Sequence, residues 1–444
     1  MKLSKRVLFI TLIAVMLGTA VGASPSAARP VPAPLLANVN GGWSDLNGGL
    51  DVEEHSGGVY AVAVDSKNNL YIGGEFSSVN GVSANNIAMW NGSSWKALNT
   101  GTSDPVSVLA VDKNDDIYVG GWFTTAGAKT VNNIARWDSS AKTWNKLSGV
   151  GGTGTNGSVR AIVADDNGNV FIGGSFTHAG GGEMNRIARY NKSSDWHRLR
   201  DDPGNPIGVN DTVHALALDK QNNIYIGGAF TKAGAKTANR IVKWNGSEWK
   251  KLLGPSGNGI TGSSLPWDPS VSAVAVDKKG DIYVAGAFLK AGGIAANSIA
   301  KWNGTRWAPL KGPKGDGVVM AFDVGINELA FDKQDKLFIT GYFSNAGGIS
   351  AKSAAMWHNG EWYSLKGASG QGLYEGAYPG GGSSVAVSSR NNVYFGGTFK
   401  YAGGVLAMRV AKWNNPLIFA DGFEKGNLTS WDTKQGASLD EPLE

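Results

Sequence analysis

One block of sequence recurs seven times in this chain of 444 residues, and it constrains the fold more than any other feature. The block reads close to VxAxAVDxxNxIYxGGxFxxAGxxxxNxIAxWNGxxWxxL, and its copies lie between residues 59 and 413. The phenylalanine of its GGxF segment recurs at intervals of 47 to 58 residues, at Phe76, Phe123, Phe176, Phe230, Phe288, Phe343 and Phe399. Such a period is typical of propellers and solenoids.

Each repeat contains four runs that favour β-strands, which we name a, b, c and d. In the first repeat, runs a (59–65) and b (70–76) flank a polar turn, and runs c (86–90) and d (95–98) flank the hairpin signal Asn91-Gly92. Four antiparallel strands of this kind form one propeller blade.

The two ends of the repeat region complement each other. The seventh repeat stops after Trp413 without a WxxL run, and residues 40–46 read NGGWSDL, which is the missing fragment. The sequence therefore predicts an all-β, seven-bladed β-propeller with four antiparallel strands per blade, closed by an N-terminal strand that completes the last blade. A solenoid, the alternative, needs no such complement.

The segments outside the repeats suggest export. Lys2, Lys5 and Arg6 precede an apolar run (7–21) that leads into the small residues Val-Gly-Ala, so we expect residues 1–23 to be a signal peptide. The alternative is a membrane anchor, but the apolar run is short for a helix that spans a bilayer. Residues 24–36 are expected to be a flexible leader, 37–415 the propeller, and 416–444 a C-terminal appendage. We expect a secreted, extracellular or periplasmic protein whose mature chain does not insert into a membrane.

The charge balance and the lack of cysteine limit the kinds of partner and site that we expect. The chain has 41 basic and 36 acidic residues, and removing residues 1–23 takes away three basic ones, which leaves 38 against 36, a net charge of +2. This balance does not favour nucleic acid as a partner. Without any cysteine, the chain has no disulfide, thiol nucleophile or cysteine-ligated metal.

Several repeated residues have a structural interpretation. Tryptophans recur in the c and d runs, where we expect them to pack between blades, and the glycine pairs such as Gly73-Gly74 are expected to mark a bulge or a close approach of strands. An aspartate ends run a in six repeats and is expected to accept hydrogen bonds from the following turn. Asp165 is the nearest approach to a calcium loop, but the spacing and distal glutamate of such a loop are missing.

The candidate binding surface lies where the d-to-a and b-to-c connections emerge, because these loops vary most in length. On that face the second position of run a varies while its neighbours repeat. We expect these side chains to surround the mouth of a central channel, with Arg160 and His214 the most ligand-like; exposed positions under relaxed selection are the alternative. The set is Tyr60, Ser107, Arg160, His214, Ser272, Asn327 and Ser383.

Aromatic and basic residues of the loops extend this surface. Trp267, Tyr374 and Tyr378 could stack on sugar rings, or they could pin glycine-rich loops. Six lysines of the b-to-c loops could make the rim positive and favour an acidic ligand, or they could serve solubility alone. They are Lys129, Lys232, Lys236, Lys290, Lys352 and Lys400.

The sequence contains no local catalytic motif. None of the five histidines stands in metal-ligand spacing with another, and no GxSxG segment occurs, so we expect no cofactor and no metal. The leading hypothesis is a binding module that recognises a glycan or a protein through the variable-loop face. The alternatives are a polysaccharide- or lactone-active enzyme with a site at the channel mouth, because distant residues can converge there, and a structural surface or matrix protein.

The NxIAxWNG and GGxF segments resemble the propeller repeats, roughly sixty residues long, of exported bacterial proteins. More loosely, the repeats are similar to kelch, galactose-oxidase-type and NHL propellers. The cofactor of the galactose-oxidase family joins a tyrosine to a cysteine, and this chain has no cysteine to form it. Residues 417–431, LIFADGFEKGNLTSW, resemble the opening segment of a β-sandwich in exported bacterial proteins, but too few residues follow for such a domain.

Overall fold

The computed structural model describes residues 41–51, 57–191, 193, 195–255, 257–263, 268–312, 315–320, 325–376 and 378–415. The expected signal peptide, leader and appendage, as well as Trp267, lie outside these residues. Every regular element in the described part is a β-strand. Within that part, no helix has the length and apolar character needed to cross a bilayer.

Seven four-stranded antiparallel sheets, numbered here 1 to 7 along the chain, each have the strand order a-b-c-d. The a strands are Gly58–Val64, Val106–Val111, Val159–Ala164, Val213–Leu218, Ser270–Val276, Ile326–Phe331 and Gly382–Val387. The b strands are Leu70–Glu75, Ile117–Gly121, Val170–Gly174, Ile224–Gly228, Ile282–Ala287, Leu337–Gly341 and Asn392–Gly397. The c strands are Ile87–Trp90, Ile134–Asp138, Ile187–Tyr190, Ile241–Trp244, Ile299–Trp302, Ala354–His358 and Val410–Asn414. The d strands are Trp95–Ala97, Thr143–Lys146, Trp196–His197, Trp249–Lys250, Trp307–Pro309, Glu361–Ser364 and, for sheet 7, Gly42–Ser44.

The d strand of sheet 7 comes from the beginning of the described chain. Gly42–Ser44 pairs antiparallel with Val410–Asn414, with Trp43 opposite Trp413. The Trp43 indole donates a hydrogen bond of 3.0 Å to the carbonyl of Leu365, which follows the d strand of sheet 6. This segment therefore pairs with the last repeat, as the sequence predicts.

Tryptophans pack between neighbouring sheets, and five of the seven d-strand indoles donate a hydrogen bond to the preceding sheet. The d-strand indoles are buried, and each packs against the aromatic ring of its own c strand at centroid distances of 4.7 to 5.4 Å. The indole of Trp144, for example, donates to the Leu98 carbonyl of the preceding sheet at 3.1 Å. The recurring aromatics thus form the core between sheets.

Glycine pairs in the b strands permit close packing, as expected. The Val106 side chain of sheet 2 occupies the space in which a side chain at Gly73 of sheet 1 would stand. The carbonyl of Gly58, in the neighbouring a strand, lies where a side chain at Gly74 would begin. Larger residues at either position would force strands or sheets apart.

The turns between a and b strands are organised by aspartate. In six sheets the carboxylate accepts the N–H of the residue four positions later; the Asp165 carboxylate, for instance, accepts from Asn169 N at 2.7 Å and from its amide Nδ2 at 2.7 Å. These contacts confirm the predicted turn role. N–H donors occupy the Asp165 oxygens, and among the described residues no three histidine, aspartate or glutamate side chains cluster in a way that could hold a metal ion.

The b-to-c connections contain short hairpins that the sequence did not predict. Examples are Ser78–Val79 with Val82–Ser83, and Lys232–Ala233 with Lys236–Thr237. Two-residue strands carry too little periodicity to be recognised in a sequence. Each hairpin packs beside the d strand of its own sheet, as where Gly234 lies against the Trp249 indole.

Candidate functional site

A β-bulge interrupts every a strand near its start, at the second or third residue. In sheet 1, Val59 pairs with Gly74 and Ala61 with Gly73, which leaves Tyr60 without a partner in the ladder. The same register shift occurs in the other six sheets. A bulge turns the extra residue's side chain away from the normal alternation of a strand. The skipped residues are Tyr60, Ser107, Arg160, His214, Ser272, Asn327 and Ser383.

These seven bulged residues line one cavity of about 200 Å³. The a strands of successive sheets contact one another, and the a strand of sheet 7 also contacts that of sheet 1. The residues after each bulge, such as Ala61 and Val62, complete the wall. The structure therefore brings together all seven side chains that the sequence singled out at this position.

Three of the bulged residues hold neighbouring strands together. The Ser107 hydroxyl donates to the Val159 carbonyl at 2.9 Å, and the Ser272 hydroxyl donates to the Ile326 carbonyl at 2.5 Å. The Asn327 amide nitrogen donates to the Gly382 carbonyl at 2.8 Å. Each bond joins an a strand to that of the next sheet, so these polar side chains contribute to the wall itself.

Tyr60 is tied to the rim of the cavity. Its hydroxyl donates a hydrogen bond of 2.8 Å to the Glu75 carboxylate at the end of the neighbouring b strand. Burial first, and then this carboxylate, raise the pKa of the Tyr60 phenol well above its usual range. Tyr60 therefore remains a neutral phenol at any physiological pH.

Arg160 and His214 supply the basic groups of the cavity. They lie at the bulges of adjacent sheets, and no hydrogen bond or ion pair joins either side chain to another residue in the described part of the chain. Burial, and then the positive charge of Arg160, lower the pKa of His214 to about 4, against the opposing effect of Asp211. Arg160 is open to water at the mouth, but the surrounding protein still lowers its pKa by desolvation. At neutral pH the pair consists of one guanidinium cation and one neutral imidazole.

Glu328 is a wall residue that the sequence analysis missed. It follows the bulge of sheet 6, where the other sheets carry alanine, valine or serine, and this departure from the repeat was the available signal. The Ser384 hydroxyl donates to its carboxylate at 3.0 Å and in turn accepts the Val62 N–H at 3.0 Å. Burial raises the pKa of Glu328 to about 7, and the Ser384 bond opposes that shift. Part of the Glu328 side chain is exposed to the cavity, and the rest is surrounded by protein.

Trp122 is a second residue that the sequence analysis missed. It follows the b strand of sheet 2 and is 44% exposed, the most exposed aromatic ring in the described part of the chain. The side chain of Val159, adjacent to Arg160, occupies the space beside Gly120, two residues before Trp122. Trp122 and Arg160 therefore lie at the same end of neighbouring sheets. Glu75 and Tyr342 hold the matching position in sheets 1 and 6.

The predicted loop aromatics have different surroundings. The Tyr374 ring stacks on Tyr401 at 5.4 Å and has the Lys352 ammonium 5.2 Å from its centre, so it packs against the b-to-c connections of sheets 6 and 7. Tyr378 lies in the short strand Tyr378–Pro379, which pairs with Leu373–Glu375. Of the rim lysines, Lys236 lies near Asp201 and Glu248. Among the described side chains that line the cavity, neither Tyr374 nor Lys236 occurs.

The comparisons with known proteins agree on the fold. Residues 151–320 match the family model described as the Rax2 C-terminal beta propeller domain. The extracellular domain of the putative one component system BT4673 from B. thetaiotaomicron has a TM-score of 0.51 and 13% identity, with 84% of this chain and 39% of that chain covered. This chain has a β-propeller fold. It spans about two fifths of the length of the BT4673 domain.

Enzymes also occur among the similar propellers. Streptogramin B lyase has a TM-score of 0.50 and 11% identity, with 85% of this chain and 98% of that chain covered. A catalytically inactive virginiamycin B lyase from Staphylococcus aureus, solved with quinupristin, has a TM-score of 0.50 and 11% identity, with 84% and 99% covered. At these identities the likeness concerns the propeller fold alone. No protein with curated annotation matches this sequence.

Proposed function

We propose that this protein is an exported seven-bladed propeller that binds a glycan or a protein ligand through its variable-loop face, with the site at the mouth of the central channel. The single observation that carries this proposal is the cavity into which the seven bulges direct their side chains. A bulge leaves the extra residue unpaired in the ladder and turns its side chain out of the normal alternation, which lets it reach the cavity. Arg160 and His214 provide the unpaired polar groups that a ligand needs.

Ring closure is part of the proposal. Three contacts between the ends of the repeat region support it: the pairing of Gly42–Ser44 with the last c strand, the Trp43 hydrogen bond, and the Val62 N–H donated to Ser384. Deleting residues 37–47 should lower the melting temperature, and a synthetic peptide of that sequence should restore it. An unchanged melting temperature after the deletion would contradict closure.

A ligand-binding role is also compatible with the structural neighbours. BT4673 is described as the extracellular domain of a putative one component system, and BT3049, with a TM-score of 0.51 and 12% identity, as that of a putative hybrid two component system. Such extracellular domains suggest ligand recognition outside the cell.

The test is a screen of the full chain on a glycan array and against extracellular proteins. Replacing Arg160 and His214 together by alanine should abolish binding of any ligand found and leave the melting temperature unchanged, because neither side chain bonds to a described residue. If the double variant still bound the ligand, the channel mouth would not be the binding site. If neither screen found a ligand, the proposed binding function would be wrong.

A second candidate, an enzyme acting on a polysaccharide or lactone at the same mouth, is favoured by one observation. The pKa of Glu328, raised to about 7, is that of a group able to accept and donate protons at neutral pH. Turnover of fluorogenic glycosides or lactones that disappears in Glu328→Gln would support the enzyme. Turnover that survives this substitution would exclude Glu328 from the chemistry.

A further inference from the structure

The cavity carries one fixed charge. The titratable residues among its described lining are Tyr60, Arg160, His214 and Glu328. Tyr60 and His214 are neutral at pH 7 for the reasons given above, and Glu328 is close to its midpoint. The guanidinium of Arg160 thus lies at the mouth of a cavity whose described lining carries at most one negative charge.

No other described charge faces Glu328 from the neighbouring strands. The adjacent a strands contribute Ser272 on one side and Ser383 with Ser384 on the other, and its own b strand contributes Thr340. At the rim, the Glu75 carboxylate accepts the Tyr60 hydroxyl, and the Asp211 carboxylate accepts the N–H and hydroxyl of Thr212. Both rim carboxylates therefore accept hydrogen bonds from neighbouring residues at the rim.

We propose, on the basis of the function proposed above, that this cavity binds the carboxylate of an acidic sugar at Arg160, and that Glu328 is protonated in the complex. A carboxylate that pairs with Arg160 brings a second negative charge into the cavity of about 200 Å³ that Glu328 also lines. Like charges that share a site disfavour one another, so the bound sugar stabilises the protonated Glu328. Protonated Glu328 also becomes a hydrogen-bond donor to the ligand.

The charge count favours a carboxylate over a phosphate dianion. With Glu328 protonated, one guanidinium balances one carboxylate, whereas a dianion would leave an uncompensated negative charge inside the cavity. A single carboxylate is also the shape that a guanidinium binds through two parallel hydrogen bonds.

The surroundings favour a sugar over a peptide carboxylate. Ser383 and Tyr60 place polar groups around the cavity for hydroxyls, and the exposed Trp122 ring lies at the same end of the neighbouring sheet as Arg160, where it offers a flat face to the C–H groups of a sugar. A peptide terminus would also use Arg160, but its side chain would meet a mouth lined by the polar bulged residues.

Isothermal titration of the full chain with D-galacturonate and D-galactose tests the proposal, since the two sugars differ only in the carboxylate at C6. Galacturonate should bind and galactose should not. Because Glu328 is protonated in the complex and has a pKa of about 7 in the free protein, the galacturonate affinity should be about tenfold weaker at pH 8 than at pH 6. Neutral His214 does not titrate in this window.

Two variants and a control separate the steps. Arg160→Met should lose galacturonate binding at both pH values, and Arg306→Met, which removes an exposed arginine from a c-to-d turn on the other face, should not. Glu328→Gln should bind at pH 8 as tightly as at pH 6. Thermal melting checks that each variant folds.

Three results would overturn the proposal: an affinity that does not change with pH, a pH dependence that survives in Glu328→Gln, or binding of acetyl-dialanine without binding of galacturonate. If a neutral glycan or a protein from the screens binds through Arg160 while galacturonate does not, the proposed function stands and this inference fails. If no ligand binds in any assay, both fail.

Discussion

Trp43→Ala removes the side chain that anchors the first described strand to the last repeat. Trp43 is 5% exposed, packs against Trp413 at 5.3 Å and Phe395 at 5.2 Å, and donates to the Leu365 carbonyl. Truncating a buried tryptophan to alanine costs about 3 to 5 kcal/mol. With an unfolding entropy of about 2.1 cal/mol/K per residue over 41–415, the melting temperature should fall by roughly 4 to 6 °C.

Differential scanning calorimetry measures this shift, with two reference variants. Trp144→Ala removes an interior d-strand indole with the same bond to the preceding sheet and should give a similar fall. Trp122→Ala removes a ring that is 44% exposed and should change the melting temperature by less than about 1 °C. If Trp43→Ala behaved like Trp122→Ala rather than Trp144→Ala, the N-terminal strand would not be an integral part of the fold.

Further predictions concern single groups. Glu328 has a folded pKa above that of a free carboxyl, so its contribution to stability is full below pH 4.5 and is lost as the pH rises through 7. Glu328→Gln should therefore stabilise the fold by on the order of 3 kcal/mol at pH 8 and leave its stability unchanged at pH 4. Melting curves at both pH values check this, since the melting temperature should rise at pH 8 only. Asp165→Ala should lower the free energy of unfolding by about 1 to 3 kcal/mol, because its carboxylate accepts N–H bonds in the turn. Denaturant titration should give the same loss with calcium and with a chelator. A loss that appears only with calcium would indicate a metal site.

The features that repeat seven times were predictable from the sequence. The a, b, c and d strands, the packing role of Trp144 and its equivalents, and the turn role of Asp165 follow from their recurrence, because repetition averages out the ambiguity of any one short strand. The N-terminal complement was predictable for the same reason, since residues 40–46 repeat a fragment found in the other six copies.

The chemistry of the cavity was predictable only in part. Variation at the second position of the a strand indicated Arg160 and His214, but the bulge that directs them inward is a register effect between two strands and leaves no separate mark in the sequence. Asn327 was grouped with the ligand-facing residues, yet its amide nitrogen bonds to Gly382, a contact between sheets that only coordinates reveal. Glu328 and Trp122 each depart once from the residue type that the repeat has at their position. A single departure of this kind does not show whether the side chain faces a cavity or solvent.

The absence of cysteine from the chain permits a direct test of the channel mouth as the binding site. A single cysteine at Ser383 places a thiol in the cavity wall, and one at Lys279 places it in an exposed a-to-b turn on the other face. After both variants are labelled with a bulky maleimide, binding of the ligand found in the screens is measured. Binding should be lost with the label at 383 and kept with the label at 279. Full binding with the cavity blocked would contradict the account.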